Sequence, residues 1–294
     1  MKIEKINSYL ARDQFIVEVI TDKNISGVGQ SACWAYPEAV KAVVERFDDL
    51  LIGRDPFNIE DINQLLMRCG PFRGSVLSGA ISCIDIALWD LRGKVQGKSI
   101  SEILGRKKDN LIPYASFVIL SDPDERAQMS KTMLEEGWKA IKVRLHHNDE
   151  NLDVLTIKKI QDVVGGKLDI LVDANQAQSP KPWQAGVIWD LERAKRMNQK
   201  MYELGCYWLE EPRPRYNFDE LSELVSMNMT KISGGENNTV VSDFHEMVNK
   251  NSYDLDPLTA LLLINAARNE HIKKIIKPEI KKKIILCDRY IDST

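Results

Sequence analysis

The sequence predicts an α+β domain followed by parallel βα units, with a short αβ piece of different composition at the C-terminal end. Three observations predict this. Residues 3–30 alternate like an antiparallel meander, short apolar strands alternate with amphipathic helices from Ile112 onward, and glycine disappears after Asp254 while lysine accumulates. The expected domains are 1–110, 111–254 and 255–294.

In the first domain IEKINSYL and QFIVEVIT each alternate apolar with polar residues, a DKN turn follows, and SGVGQSA supplies a third strand. Pro37 opens the helical stretch PEAVKAVVERFDDLLIG, stopped by Gly53, and IEDINQLLMRC and SVLSGAISCIDIALWDLRG read as further helices. The second domain begins with the strand IPYASFVI. KAIKVRL, LDILVDAN, YWLEEP and KISGGEN follow as strands, with helices near 123–137, 150–164, 185–204, 217–226 and 241–250, and a sixth strand is expected to start at Tyr253. This rhythm is that of parallel strands joined by helical crossovers. The third piece reads as a helix over about 258–277, Pro278, and a strand IILC before DRYIDST. Its Lys273, Lys274, Lys277 and Lys281–Lys283 are expected to be a solvated helix face and strand entry rather than a phosphate patch.

The 294 residues contain 44% hydrophobic and 28% charged side chains, with 16 Gly and 11 Pro, which excludes collagen-like, disordered and coiled-coil classes. A net charge of −3 offers no basic field for nucleic acid or an anionic membrane. Five cysteines, Cys33, Cys69, Cys83, Cys206 and Cys287, are an odd number without a Cys-x-x-Cys pair, which argues against a disulfide framework and a structural zinc site. The start MKIEKINSYL lacks the apolar core of a signal peptide, and LTALLLINAA over 258–267 is about half a membrane span. A cytoplasmic protein with a small-molecule partner, and neither nucleic acid nor membrane, is expected.

Three carboxylates fall at strand ends, where parallel βα architectures place their functional groups. Asp173 ends LDILVD, Glu210 ends YWLE and Glu236 follows KISGG. Their separations of 37 and 26 residues each approximate one strand–helix–strand repeat, so they are expected on one rim. Three anions in a half-buried mouth repel by several kcal/mol at an effective dielectric of about 20, so the cluster calls for a cation. Oxygen donors favour Mg²⁺. Lys142 and Arg144 lie two residues apart on the preceding strand and share a face. They can hold a substrate carboxylate beside a metal, or alternatively pair with Asp173 or Glu210.

The ordered set IKVRL, VDANQ, WLEEP and SGGEN, preceded by IALWDLRGK, resembles the enolase superfamily and within it the mandelate racemase-like group, over about residues 1–254. The resemblance implies an α+β capping domain followed by a truncated parallel (β/α) barrel, with Mg²⁺ held by Asp173, Glu210 and Glu236. It implies abstraction of the proton α to a carboxylate to give an enediolate, a chemistry for which this superfamily is a standard example. By the same resemblance Lys142 contacts the substrate carboxylate, Asn175 and Asn237 stand beside the metal ligands, and Glu211 supports the site without binding the ion. The Gly-Glu-Asn ending resembles members acting on sugar acids, which points to dehydration by β-elimination. The capping-domain stretches Ala32–Tyr36 and Gly70–Gly74 are candidate specificity loops. Open sheet edges and family habit suggest a homo-oligomer.

Two features depart from that pattern. Arg144 stands where a second lysine usually acts as base, and a guanidinium does not readily accept a proton. The family's other base, a histidine oriented by an aspartate, belongs to a region beyond the resemblance. His146 and His147 in a loop, His245 in a helix and His271 in the C-terminal piece are expected to face solvent. Residues 255–294, in turn, resemble an internal stretch of bacterial thymidylate kinases, which implies that Arg268 and Arg289 match residues near a nucleotide monophosphate, with Asp288 beside them. No phosphate cradle accompanies them: GKVQGKS over 93–99 has three residues between its glycines and follows a helix, so it reads as a helix stop. The chain therefore reads as a Mg²⁺-dependent sugar-acid dehydratase lineage without its usual base. The alternatives are a non-catalytic fusion product and, more weakly, thymidylate kinase-related nucleotide binding.

Overall fold

The computed structural model describes residues 1–11, 14–31, 36–69, 74–177 and 187–250. Two compact units divide between Asp109 and Asn110. The expected strand at Tyr253 and the whole piece 255–294, with Arg268, Asp288 and Arg289, lie outside the described residues, as do positions 32–35 and 70–73 of the candidate specificity loops.

In the first unit β1 (Ile3–Ala11), β2 (Gln14–Thr21) and β3 (Ser26–Ser31) form an antiparallel sheet in that order. Alternation along β2 sends Phe15, Val17, Val19 and Thr21 to the buried face. The segment expected as one helix over 37–53 is two, α1 (Pro37–Val44) and α2 (Asp48–Leu51). Between them Arg46 N–H and Phe47 N–H donate to the carbonyls of Val43 and Val44, three residues back. This tighter turn breaks the helix while Val44, Phe47 and Leu51 all stay in the core. After α3 (Ile59–Leu66) comes the long α4 (Ser75–Gln96), whose Ala80, Cys83, Ile84, Ala87, Leu88 and Leu91 make one buried stripe. Glycine lets β3 lie against that stripe: a Cβ on Gly29 would sit 1.9 Å from the Cys83 carbonyl oxygen, and one on Gly27 1.9 Å from that of Ala87. The helix stops at Gly97, with φ 61°, so GKVQGKS is a helix terminus as expected. A single turn, α5 (Ile100–Ile103), follows and is closed by a Ser99–Glu102 capping box.

The second unit runs β4 (Ala115–Phe117), α6 (Pro123–Glu135), β5 (Ala140–Arg144), α7 (Glu150–Val164), β6 (Asp169–Asp173), α8 (Leu191–Glu203), β7 (Trp208–Glu210), α9 (Phe218–Ser226), β8 (Lys231–Ser233) and α10 (Val241–Asn249). The five strands are all parallel and adjacent in chain order, as in the arc of a truncated (β/α) barrel. Aspartates start the helices: Asp122, Asp149 and Asp190 accept backbone N–H groups at the first turns of α6, α7 and α8.

Strand alternation separates two faces. Ile141, Val143 and Leu145, with Ile170, Val172, Ala174, Leu209 and Ile232, join the helices in one core that includes Ile157, Ile160, Met197 and Leu224. The intervening residues Lys142, Arg144, Asp173, Glu210 and Ser233 therefore occupy the opposite face. No described helix is long and apolar enough to cross a membrane. Among the described cysteines, Cys69, Cys83 and Cys206 are free thiols.

Candidate metal centre

Strand register brings the acidic positions together. Arg144, Asp173, Glu210 and Ser233 are successive Cα partners across β5, β6, β7 and β8, so they form one row at the strand ends. The ladder continues past that row. Leu145 N–H donates to the Asp173 carbonyl, Ala174 N–H to that of Glu210, and Glu211 N–H to that of Ser233.

Lys142 lies between the two central carboxylates. Its Nζ donates to Glu210 Oε1 at 2.9 Å and stands 3.2 Å from Asp173 Oδ2, which also lies 3.7 Å from an Arg144 Nη2. Both cations thus pair with the carboxylates, the alternative left open from the sequence. All three members of the central group are buried, at 6% exposure for Lys142, 4% for Asp173 and 6% for Glu210. Burial alone would lower the Lys142 pKa, but Asp173 and Glu210 outweigh it and hold the ammonium above its ordinary value. Burial, then the Asp173 charge, pushes the Glu210 carboxyl up to about 7 against the opposing pull of Lys142.

The flanking residues complete the acidic field. Asp173 Oδ1 accepts the Asn175 backbone N–H at 2.8 Å, with Asn175 in the left-handed region at φ 50°. Glu211 is buried at φ 46°, its Oε1 has no hydrogen-bond partner among the described residues, and burial followed by the Glu236 charge holds its pKa well above the carboxylate range. Glu236 follows β8 with an exposed side chain, one oxygen accepting from Asn237 Nδ2 at 3.1 Å. Its charge acts on both Glu210 and Glu211. Among the described residues no three His, Cys, Asp or Glu side chains already stand in a metal-holding arrangement. The structure therefore brings Asp173, Glu210 and Lys142 into contact and leaves Glu236 at the solvent edge of the same field.

The donors nevertheless fit a hard cation. Two buried carboxylates already converge on one positive charge, the Lys142 ammonium, and an unpaired buried oxygen stands one residue from Glu210.

Sequence reasoning missed three features. Arg215 donates through Nε and Nη2 to the Ala177 carbonyl and through Nη1 to that of Asn237, tying the β6 and β8 loops together. His147 and His146 do not face solvent as expected. His147 is half-buried, its Nδ1 2.6 Å from Asp153 Oδ1, and Asp153 Oδ2 accepts from Arg193 Nη2 at 3.1 Å. His146 is 3% exposed, because the extended chain continues beyond Arg144 and keeps the strand alternation. That continuation was the available signal: His146 is two residues from Arg144 and four from Lys142. His245 is exposed on α10, as expected.

Family comparisons agree with this architecture. The profile "Mandelate racemase / muconate lactonizing enzyme, N-terminal domain" matches residues 7–105, and "Enolase C-terminal domain-like" matches 124–256. Over these residues the chain belongs to the mandelate racemase/muconate lactonizing enzyme group of the enolase superfamily. A thymidylate kinase profile matches 231–294, overlapping the end of the enolase match.

The chain is 29% identical over 244 residues to the L-talarate/galactarate dehydratase of Salmonella typhimurium strain LT2, covering 81% of this chain and 58% of that protein. It thus spans a little over half the length of that curated relative. The structure of L-talarate dehydratase from Polaromonas sp. JS666, complexed with Mg and L-glucarate, superposes with TM-score 0.76 at 25% identity, covering 86% of this chain and 71% of the other. The 3,6-anhydro-D-galactonate cycloisomerase from Zobellia galactanivorans shares the fold, with TM-score 0.78 at 24% identity over 97% of this chain and 79% of its own.

Proposed function

We propose that this chain derives from a Mg²⁺-dependent sugar-acid dehydratase and retains its acid-binding centre. The carrying observation is the burial of Asp173 and Glu210 around a single ammonium at the ends of adjacent parallel strands. Relatives named as dehydratases of talarate/galactarate and arabinonate support the substrate class.

In this reading Asp173, Glu210 and Glu236 hold the ion. When bound, Mg²⁺ supplies Lewis-acid polarisation of the substrate carboxylate. Lys142 and Arg144 orient that carboxylate and stabilise the charge that develops on it as the α-proton leaves. Asn175 and Asn237 fix the carboxylates beside them, since the Asn175 N–H holds Asp173 and the Asn237 amide holds Glu236. Glu211 and Arg215 support the loops. The domains 1–110 and 111–254 belong to this enzyme lineage, 255–294 is the joined piece, and the protein works in the cytoplasm as a homo-oligomer.

The test is exchange of the α-proton with solvent deuterium for galactarate, L-talarate, arabinonate and D-galactonate in the presence of Mg²⁺. Exchange that disappears in Asp173→Asn supports the reading, and no exchange with any of the four acids together with no Mg²⁺-induced rise in melting temperature contradicts it.

A second reading, a non-catalytic fusion product, draws on the thymidylate kinase match at 231–294. It expects no change in thermal melting on adding Mg²⁺. A nucleotide-binding reading of the same match expects stabilisation by dTMP instead.

A further inference from the structure

We propose that His146 is a further catalytic residue of this centre, the base that takes the α-proton in place of the lysine to which Arg144 corresponds. The inference rests on the dehydratase reading above.

Leu145 packs in the core between sheet and helices, and its N–H donates to the Asp173 carbonyl at 2.9 Å, so the chain is still in the ladder at that residue. Alternation then turns His146 to the face of Lys142 and Arg144, one step beyond the carboxylate row. His146 is as buried as the site residues, yet neither Nδ1 nor Nε2 has a partner on any other described residue, only its own backbone lying within reach. Buried polar atoms are paired in the great majority of cases, and unpaired ones call for an explanation. A ring held ready for a ligand proton supplies one. Its neighbour His147, by contrast, is engaged with Asp153.

The charges facing His146 are Arg144, Asp153 and Asp173. Burial first, then the Arg144 cation, lowers its pKa and so disfavours the protonated ring. The chemistry balances without another reactant. A ring nitrogen takes the α-proton, and the C–H electron pair moves into the carboxylate held by Lys142 and Arg144. Those electrons return to form the carbon–carbon double bond as the β-C–O bond breaks. The departing hydroxide takes the imidazolium proton and leaves as water, restoring the neutral ring.

The test compares wild type, His146→Asn and His146→Ala in the full chain with Mg²⁺ and the same four acids. The readouts are α-deuterium exchange and the Mg²⁺-induced rise in melting temperature. Expected are exchange in wild type, a loss of about 100-fold or more in both variants, an unchanged Mg²⁺ shift, and partial recovery of His146→Ala by added imidazole. Wild-type exchange rates in the variants overturn the proposal. So does a loss that imidazole does not rescue, which makes His146 a structural residue. Wild type that shows the Mg²⁺ shift but no exchange removes His146 as a competent base and leaves the metal centre standing. Absence of both removes the centre and the base together.

Discussion

Two buried charge clusters flank the same loop after β5, and they are balanced in opposite ways. Both Asp153 oxygens are engaged: Oδ1 accepts the His147 backbone N–H at 3.1 Å and faces His147 Nδ1, while Oδ2 accepts from Arg193. Arg193 in turn donates to the His147 and Asn148 carbonyls and stacks on Trp189, 5.0 Å from the ring centroid. Around Asp173, acid is in excess. Glu210, Glu211 and Glu236 share one field, and Glu211 keeps a buried oxygen that has no partner among the described residues. A carboxylate with both oxygens engaged holds elements in place, whereas a surplus of buried carboxylates at strand ends is the arrangement a cation would relieve.

Breaking each cluster should therefore give different signatures. The largest expected effect is in the balanced one. Asp153→Ala leaves the buried Arg193 guanidinium with only the more distant Glu150 Oε2, 4.0 Å away, and should cost about 3–5 kcal/mol in denaturant unfolding, with the response to Mg²⁺ unchanged. Asp173→Asn should do the reverse. Its metal-free stability should stay near that of wild type, while the Mg²⁺-dependent stabilisation in thermal melts, about 2.7 kcal/mol at a hundredfold excess over Kd, disappears.

Lys142→Met sharpens the contrast from the cation side. It strands Asp173 and Glu210 without their ammonium, so the metal-free protein should lose about 1–3 kcal/mol and gain more from added Mg²⁺ than wild type does. Melting with and without the ion reads both effects.

The smallest effect is the pH response of His147. The hydrogen bond to Asp153 raises its pKa above the unfolded value of about 6.5, against the effect of burial and of Arg193. Its contribution to stability is then complete below about 6.5 and lost as pH rises through the higher folded value. The difference in melting temperature between wild type and His147→Gln should accordingly be larger at pH 5.5 than at pH 8.5.

Much of this contrast was legible in the sequence, and the limits are physical. The strand–helix period puts Asp173 opposite Glu210, and the two-residue strand period puts Lys142 and Arg144 on their face, because both follow from local geometry. That Glu236 keeps an exposed side chain does not follow from spacing, since it depends on how the loop after β8 turns. The Asp153–Arg193 pair joins residues 40 apart through the packing of α8, which no local pattern encodes. His146 was misread for a simpler reason. The polar residues after Arg144 look like a loop, whereas the backbone bond from Leu145 to Asp173 carries the extended conformation one step further.

The central claim is that the excess of acid around Asp173 binds a divalent ion. Titrating the full metal-free chain with MgCl₂ in an isothermal calorimeter tests it most directly. A saturable site of one ion per chain, lost in Asp173→Asn and kept in Asp153→Asn, is the predicted result. Wild type that binds no Mg²⁺, or binding that survives Asp173→Asn unchanged, would contradict it.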